Sequence, residues 1–324
     1  MKKLISILGM LVLSVTMLTG CDGGVAEAGD NGRLSIVTTI FPEYDWVREI
    51  TKGNENVEIT MLLDNGVDLH SFQPTVDDIV KLSSCDMFIY VGGESDRWVE
   101  DALTEATNKD MTVINLLDVL GDSVKEEELV EGMETKEDES EEEEGPEYDE
   151  HVWLSLKNAE VLCEYISDEL CRIDPANEAV YEANMESYIS QLDALDKEYE
   201  AVVSNASVNT VLFGDRFPFR YLADDYGLEY YAAFAGCSAE AEASFETITF
   251  LANKLDELEL PAILQIESAD GKISQTVRDT TADKDQQILT MDSMQSVAAK
   301  DVEEGTTFLG IMKSNLEVLG QALN

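Results

Sequence analysis

The sequence is poor in cationic side chains: 21 lysines and arginines stand against 68 aspartates and glutamates, and the formal net charge is −47. A chain this acidic is repelled by the phosphates of nucleic acid, so we expect no nucleic-acid partner. The same charge raises the local concentration of cations. A requirement for solubility would explain so negative a charge equally well.

Catalytic motifs are also missing. The sequence contains no HExxH, no GxSxG, no P-loop and no glycine fingerprint of a dinucleotide-binding fold. Because no motif nominates a nucleophile or a base, we predict that the protein is not an enzyme, with a metallohydrolase as a minor alternative. No CxxC spacing is present, which argues against a zinc ribbon or a thioredoxin-like site. We interpret four cysteines as small buried apolar residues: Cys85, Cys163, Cys171 and Cys237.

The first residues have the order of a lipoprotein signal. Two lysines precede an uncharged apolar run over residues 4–18, which is too short for a spanning helix, and the run leads to Leu-Thr-Gly followed by Cys21. We therefore expect residues 1–20 to be a removed signal peptide and Cys21 to carry the lipid that anchors the protein. Residues 21–32 would be a flexible spacer.

The rest of the chain alternates between short β-rich runs and amphipathic helical patterns, which is typical of parallel, helix-covered sheets. We predict an α/β fold with two lobes, each with a mostly parallel sheet, joined by a long rigid central helix. The lobes would span residues 33–173 and 206–324, and the linking helix residues 174–205, with Asp174 as a plausible N-cap. The eight predicted strands begin at Leu34, Val57, Met87, Met111, Val208, Glu229, Ala262 and Gln287.

One segment has low complexity. Residues 125–150 are strongly acidic, with a core of acids at residues 137–144. Such a run repels itself and is expected to stay disordered. It is either a loop without a role or, because carboxylates exchange divalent ions quickly, a loop that collects cations next to His151.

The two histidines are the most informative residues. His70 follows the second predicted strand, where open α/β sheets place their ligand sites, and His151 follows the acidic segment directly. Imidazole is the commonest protein ligand of late first-row metals. A single histidine is usually a surface or core residue, but the pair in these contexts predicts a metal site.

Both histidine motifs resemble a known family. GVDLHSFQPTVDDI and DEHVWLSLKNA look like the two histidine motifs of the solute-binding proteins of ABC-type zinc and manganese importers, a cluster that includes lipoproteins described as adhesins. The resemblance extends over the mature chain, including IVTTIFPEYDWV and the long helix. It implies two α/β lobes with a metal held in the cleft between them.

The resemblance also implies a ligand set. The third ligand comes from a segment resembling VLFGDRFPFRYL, where the aligned position is Arg216; since arginine cannot bind a metal, we predict Asp215. The fourth would be Asp292, and Glu267 would support the ligands without binding the metal. Two imidazoles and two carboxylates suit zinc or manganese, and we favour zinc slightly.

The resemblance finally implies partners and a location. The protein would deliver its metal to a membrane permease with a separate ATPase, as a monomer anchored to the outer face of the cytoplasmic membrane. The alternative is an adhesive or structural surface lipoprotein with incidental metal binding.

Overall fold

Four short parallel strands form the first sheet of the computed structural model, which describes residues 32–134, 147–238 and 242–324. The strands are β1 (Leu34–Thr38), β2 (Val57–Met61), β3 (Met87–Tyr90) and β4 (Thr112–Asn115). Their order in the sheet is β2, β1, β3, β4. Ile36, Phe88 and Ile89 are completely buried, as expected for a parallel sheet covered on both faces.

The second sheet repeats this plan. Its strands are β5 (Thr210–Phe217), β6 (Glu229–Ala235), β7 (Ala262–Ile266) and β8 (Gln287–Met291). They are parallel and lie in the order β6, β5, β7, β8. We call the first sheet with its helices the first lobe and the second sheet with its helices the second lobe.

Helices cover both sheets. Those before the second sheet are α1 (Phe41–Ile50), α2 (Val76–Ser84), α3 (Trp98–Thr104), α4 (Leu116–Leu120), α5 (Leu156–Ile173) and α6 (Glu178–Ser204). Those of the second lobe are α7 (Arg220–Tyr226), α8 (Phe245–Glu257), α9 (Lys272–Thr280), α10 (Ala299–Glu303) and α11 (Phe308–Ala322). In the described part of the chain, no helix combines the length and apolar character needed to cross a bilayer.

Helix α6 is the long central helix. Its 27 residues extend over about 40 Å. It begins at Glu178, so the prediction that Asp174 caps its start was wrong. Asp174 instead ends α5, and its Oδ2 accepts hydrogen bonds from Tyr181 Oη (2.6 Å) and Asn177 Nδ2 (2.8 Å).

The two lobes share a hydrophobic core in addition to this helix. The Trp46 ring of α1 packs edge-to-face on Phe308 of α11, with centroids 5.3 Å apart, and Phe308 N donates to Asp45 Oδ2 over 2.7 Å. Tyr199 of α6 donates to the Met312 carbonyl over 2.6 Å. These buried contacts hold the two lobes against each other at α1 and α11. The loops at the carboxyl ends of the strands do not take part in them.

The predicted two-lobe α/β fold is confirmed, with all eight strands at the predicted places. Residues 1–31 lie outside the described part of the chain; they comprise the predicted signal peptide, the lipidation residue Cys21 and the spacer except for Gly32. Residues 135–146 of the acidic segment also lie outside it.

Candidate metal site

His70 lies in the loop that follows the carboxyl end of β2. It sits in a single 3-10 turn, Leu69–Ser71, whose preceding residue Asp68 accepts a hydrogen bond from His70 N through Oδ1 (3.0 Å). Leu69 is buried and anchors the turn. The ring Nδ1 lies 2.8 Å from Ser95 Oγ and 3.6 Å from Glu150 Oε2, so the imidazole is held by side chains from two further loops.

His151 is completely buried and precedes the 3-10 turn Val152–Leu154. Asp149 Oδ1 lies 2.9 Å from both the backbone N and the ring Nδ1 of His151. Trp153 packs against the imidazole, and its Nε1 donates to the Ser293 carbonyl of the second lobe over 2.9 Å. The His151 ring is therefore fixed by a carboxylate on one side and an anchored aromatic ring on the other.

The two imidazoles face each other through their Nε2 atoms, which lie 3.2 Å apart. Asp149 Oδ1 can accept from His151 Nδ1–H, and Ser95 Oγ can accept from His70 Nδ1–H. With both protons on Nδ1, the two Nε2 lone pairs are available to one metal ion. A tetrahedral zinc ion with Zn–N bonds of about 2.0–2.1 Å holds two nitrogens about 3.3 Å apart. The spacing of the two rings therefore fits a shared metal ion.

The surroundings give the two histidines different proton affinities. Burial, followed by the neighbouring His151, lowers the pKa of His70 to about 3, so this imidazole is neutral at physiological pH. Burial is the largest single influence on the pKa of His151 and lowers it, but the Asp149, Glu150 and Asp68 carboxylates together outweigh burial and raise that pKa above its usual value. Neutral imidazole is the form that binds metal.

A third potential ligand joins the pair. In the described part of the chain, the one group of three side chains able to hold a metal is His70, His151 and Cys237, whose ligand atoms all lie within 4.8 Å of one another. Cys237 follows β6 in the second lobe. The prediction that all four cysteines are buried holds for Cys85 and Cys163, whereas Cys171 and Cys237 are partly exposed.

Gly236 permits the approach of this turn to His151. A Cβ at Gly236 would lie 2.9 Å from the Phe217 carbonyl oxygen, closer than side-chain carbons are found, and 3.0 Å from His151 Cε1, which is a tight contact. The pattern Gly-Cys directly after a strand of a parallel sheet is the sequence signal that could have drawn attention to Cys237.

Asp215 does not belong to this group. Its Oδ1 accepts a hydrogen bond from Arg216 N (2.8 Å) and its Oδ2 one from Ile266 N (3.2 Å), so both oxygens are already engaged. The neighbouring Arg216 takes the position facing the first lobe and forms an ion pair with Asp68 Oδ2 at 2.7 Å. The structure thus connects the two loops through a guanidinium–carboxylate contact.

Asp292 and Glu267 lie together at the ends of β8 and β7, also outside the group of three. Glu267 accepts hydrogen bonds from Ser293 N (2.8 Å), Ser293 Oγ and Ser296 Oγ (both about 3.0 Å) and so fixes the loop after β8. Asp292 lines a cavity of about 280 Å³ beside α11, and burial followed by Glu267 raises its pKa to about 6. As metal ligands, Asp215 and Asp292 stay predictions.

The described ends of the acidic segment, residues 125–134 and 147–150, are ordered, so the prediction of disorder was wrong for them; residues 127–134 contact the second lobe. Glu127 Oε1 accepts a hydrogen bond from Cys237 N (3.1 Å), Glu128 pairs with Arg220 (3.3 Å), and Glu134 N donates to the Ala233 carbonyl (2.9 Å). The base of this segment therefore contributes directly to the turn that carries Cys237.

Asp96 is a buried acid close to the site. It is 3% exposed, its Oδ2 accepts from Gly92 N (2.9 Å), and Oδ1 has no hydrogen-bond partner among the described residues. Burial, together with the charge of Glu150, raises its pKa to about 7. Ionisation of this carboxyl group therefore costs the folded state free energy.

Asp96→Asn should stabilise the protein at alkaline pH. The unfolded pKa of aspartate is about 3.9, so the folded state binds the proton more tightly and the parent loses stability as pH rises from about 4 to about 7. A difference of three pKa units corresponds to about 4 kcal/mol in the free energy of unfolding. We expect asparagine to recover about 2 kcal/mol of this at pH 8 and none at pH 4. Urea unfolding at both pH values measures this, with exposed Asp110→Asn as control. An equal gain at both pH values would contradict the ionisation argument.

Comparison with known families decides what kind of protein carries this site. A family model described as zinc-uptake complex component A, periplasmic (ZnuA), matches residues 36–322. The chain belongs to the ZnuA family. This membership agrees with the prediction from the two histidine motifs and with the prediction that the protein is not an enzyme.

Individual relatives of the ZnuA family are moderately similar. The zinc-binding protein AdcA of Streptococcus pyogenes serotype M3 is 29% identical over 98% of this chain, which spans 61% of that relative's length. The high-affinity zinc uptake system protein ZnuA of Bacillus subtilis is 28% identical over 93% of this chain and 90% of its own. The chain thus corresponds to about three fifths of AdcA.

A solved structure supports the fold. The Zn(II)-bound ZnuA-like domain of Streptococcus pneumoniae AdcA matches with a TM-score of 0.70 and 26% identity over 90% of this chain and 99% of that domain. The laminin-binding adhesin of Streptococcus agalactiae matches with a TM-score of 0.72 at 22% identity, which is a likeness of fold alone.

Proposed function

We propose that this protein captures a zinc ion between His70 and His151, in the cleft between its lobes, and delivers it to an ABC-type importer. The observation that carries this proposal is the 3.2 Å separation of two Nε2 atoms whose rings are both held through Nδ1. Such support of the second ring nitrogen is a regular feature of metal-binding histidines.

Zinc is favoured over manganese by two arguments. Imidazole suits zinc, and zinc stands above manganese in the order of intrinsic affinities. In addition, AdcA is named as zinc-binding and the Bacillus subtilis relative as a zinc uptake protein. Asp215 and Asp292 are the predicted carboxylate donors from the second lobe. If they complete the coordination, their oxygen ligands shift the metal preference toward manganese.

The family description, a periplasmic component of a zinc-uptake complex, supports an extracytoplasmic location and membrane partners. We propose a permease with a separate ATPase as those partners, a lipid on Cys21 as the anchor to the outer face of the cytoplasmic membrane, and a monomeric receptor. Metal held by both lobes would then signal occupancy to the permease.

Metal analysis of the soluble chain from Asp22 onward, purified without chelator, tests the proposal. We expect one zinc ion per chain and displacement of added manganese by zinc in a competition titration. The complete absence of stoichiometric zinc or manganese would contradict the receptor function. It would favour an adhesive surface lipoprotein, because this chain resembles the laminin-binding adhesin in fold.

A further inference from the structure

We propose that Cys237 is the third metal ligand and that its thiolate, supplied by the second lobe, makes the site selective for zinc over manganese. This inference rests on the proposed function, because it concerns the same ion. It replaces Asp215, the predicted donor of this lobe, by a residue of different chemistry.

The geometry of the three side chains is the first support. The ligand atoms of His70, His151 and Cys237 all lie within 4.8 Å of one another. A tetrahedral zinc ion needs about 3.3 Å between two nitrogens and about 3.6 Å between a nitrogen and a sulfur, given Zn–N and Zn–S bonds of about 2.0–2.1 and 2.3 Å. The nitrogens already have this spacing, so the sulfur has to approach from within 4.8 Å to about 3.6 Å, a movement of at most about 1.2 Å.

The turn that carries Cys237 is held on both sides. Glu127 Oε1 accepts a hydrogen bond from the Cys237 backbone N (3.1 Å), and Arg216 Nη1 donates to the Ser238 carbonyl (3.4 Å). The absence of a side chain at Gly236 lets the turn close on the His151 ring. The thiol is therefore presented to the imidazoles by fixed backbone, as a preorganised ligand requires.

Arg216 has a second contact that supports this arrangement. The same guanidinium binds Asp68 Oδ2 (2.7 Å), and Asp68 Oδ1 accepts from His70 N (3.0 Å). One side chain thus connects the turn of Cys237 with the turn of His70. Arg216 positions two ligands instead of providing one, and Asp215 stays bound to backbone N–H groups.

The chemistry of the set determines its preference. Burial, followed by the nearby Asp149 and Glu150 carboxylates, raises the pKa of Cys237, so the metal ion has to displace the thiol proton as it binds. Two imidazoles and the resulting thiolate would form a three-ligand zinc site with a fourth position open to water or to a further donor. Thiolate is a soft ligand that suits zinc, whereas manganese prefers carboxylate, carbonyl and water. Because the histidines precede the second sheet and Cys237 follows β6, bound zinc would link the two lobes.

Cobalt substitution tests the ligand directly in the parent protein. Cobalt(II) bound to a thiolate has an intense sulfur-to-metal charge-transfer band in the near ultraviolet, which nitrogen and oxygen ligands do not produce. We expect this band in the parent, in Cys171→Ser and in Asp215→Asn, and its loss in Cys237→Ser. Cys171 is the matched control, since it is a partly exposed thiol outside the site.

Competition titrations with zinc and manganese complete the test. Cys237→Ser should lower the zinc affinity by more than about a hundred-fold, which exceeds the ten- to hundred-fold loss expected when only a supporting partner of a ligand is removed. The manganese affinity should change by less than about three-fold. A parent that binds cobalt without the band would overturn the thiolate assignment while leaving the receptor function intact. Loss of zinc in Asp215→Asn, with zinc retained in Cys237→Ser, would also overturn it in favour of Asp215.

Discussion

Replacing His70 and His151 together with alanine should leave the protein without stoichiometric zinc. Protein zinc sites hold their ion with roughly 10–16 kcal/mol, and removal of two nitrogen donors should weaken binding by at least about a thousand-fold. Alanine at both positions removes the two Nε2 atoms, 3.2 Å apart, that are the proposed donors to the ion. Metal analysis after purification and a titration against a competing chelator measure the loss.

A deletion of residues 137–144 is the matched control for charge. It removes acids that attract cations without removing either imidazole. We expect the deletion to change equilibrium zinc affinity little, because the carboxylates of an acidic run bind divalent ions only weakly. Equal losses in the deletion and in the double variant would contradict the histidine site. Urea unfolding measures the stability of the double variant and shows whether zinc binding is lost because the fold is destabilised by the truncation of buried His151.

The fold was predictable because its physical causes are local. Each of the eight strands is a short run of β-formers between helical patterns, and both sheets are parallel because helical segments separate their strands. The boundary at α6 was not predictable in the same way. Asp174 and Pro175 have the pattern of a helix start, but Tyr181 and Asn177 bind the Asp174 carboxylate and the helix begins at Glu178.

The meeting of His70 with His151 was predictable from the sequence, whereas the way the second lobe approaches the two imidazoles was not. His70 and His151 stand in motifs of their own, and each is fixed by residues close in sequence, Asp68 and Asp149. Which side chain of the second lobe comes close to the histidines depends on how β5 and β6 approach the first lobe. Arg216 pairs with Asp68, 148 positions away in sequence, and this pairing cannot be inferred from either segment alone.

The closeness of Cys237 to the two histidines was not predictable, for a related reason. A cysteine without a CxxC partner is usually a small buried residue, and Cys85 and Cys163 are such residues. What distinguishes Cys237 is its neighbour Gly236, which permits contact with the His151 ring, and Glu127, which binds its backbone N. Both relations join distant parts of the chain and therefore required the structure.

Asp149→Asn should weaken zinc binding by about ten- to a hundred-fold, the range expected when a partner of a metal-binding histidine is lost. The Asp149 carboxylate lies 2.9 Å from His151 Nδ1 and makes the imidazole a stronger donor at Nε2. Asparagine retains an oxygen that can accept from Nδ1–H, so the ring should keep its place while the charge is lost. Zinc titrations of parent and variant under the same ionic conditions measure the difference.

Asp225→Asn is the control that separates this effect from a general loss of negative charge. Asp225 is partly buried and accepts a hydrogen bond from Ser155 Oγ (2.5 Å), but it does not contact either histidine. Both variants change the net charge equally, and only Asp149→Asn alters the hydrogen bond of His151. Equal weakening in the two variants would assign the effect to long-range charge. Weakening confined to Asp149→Asn would identify this carboxylate as the group that orients His151 and strengthens it as a zinc ligand.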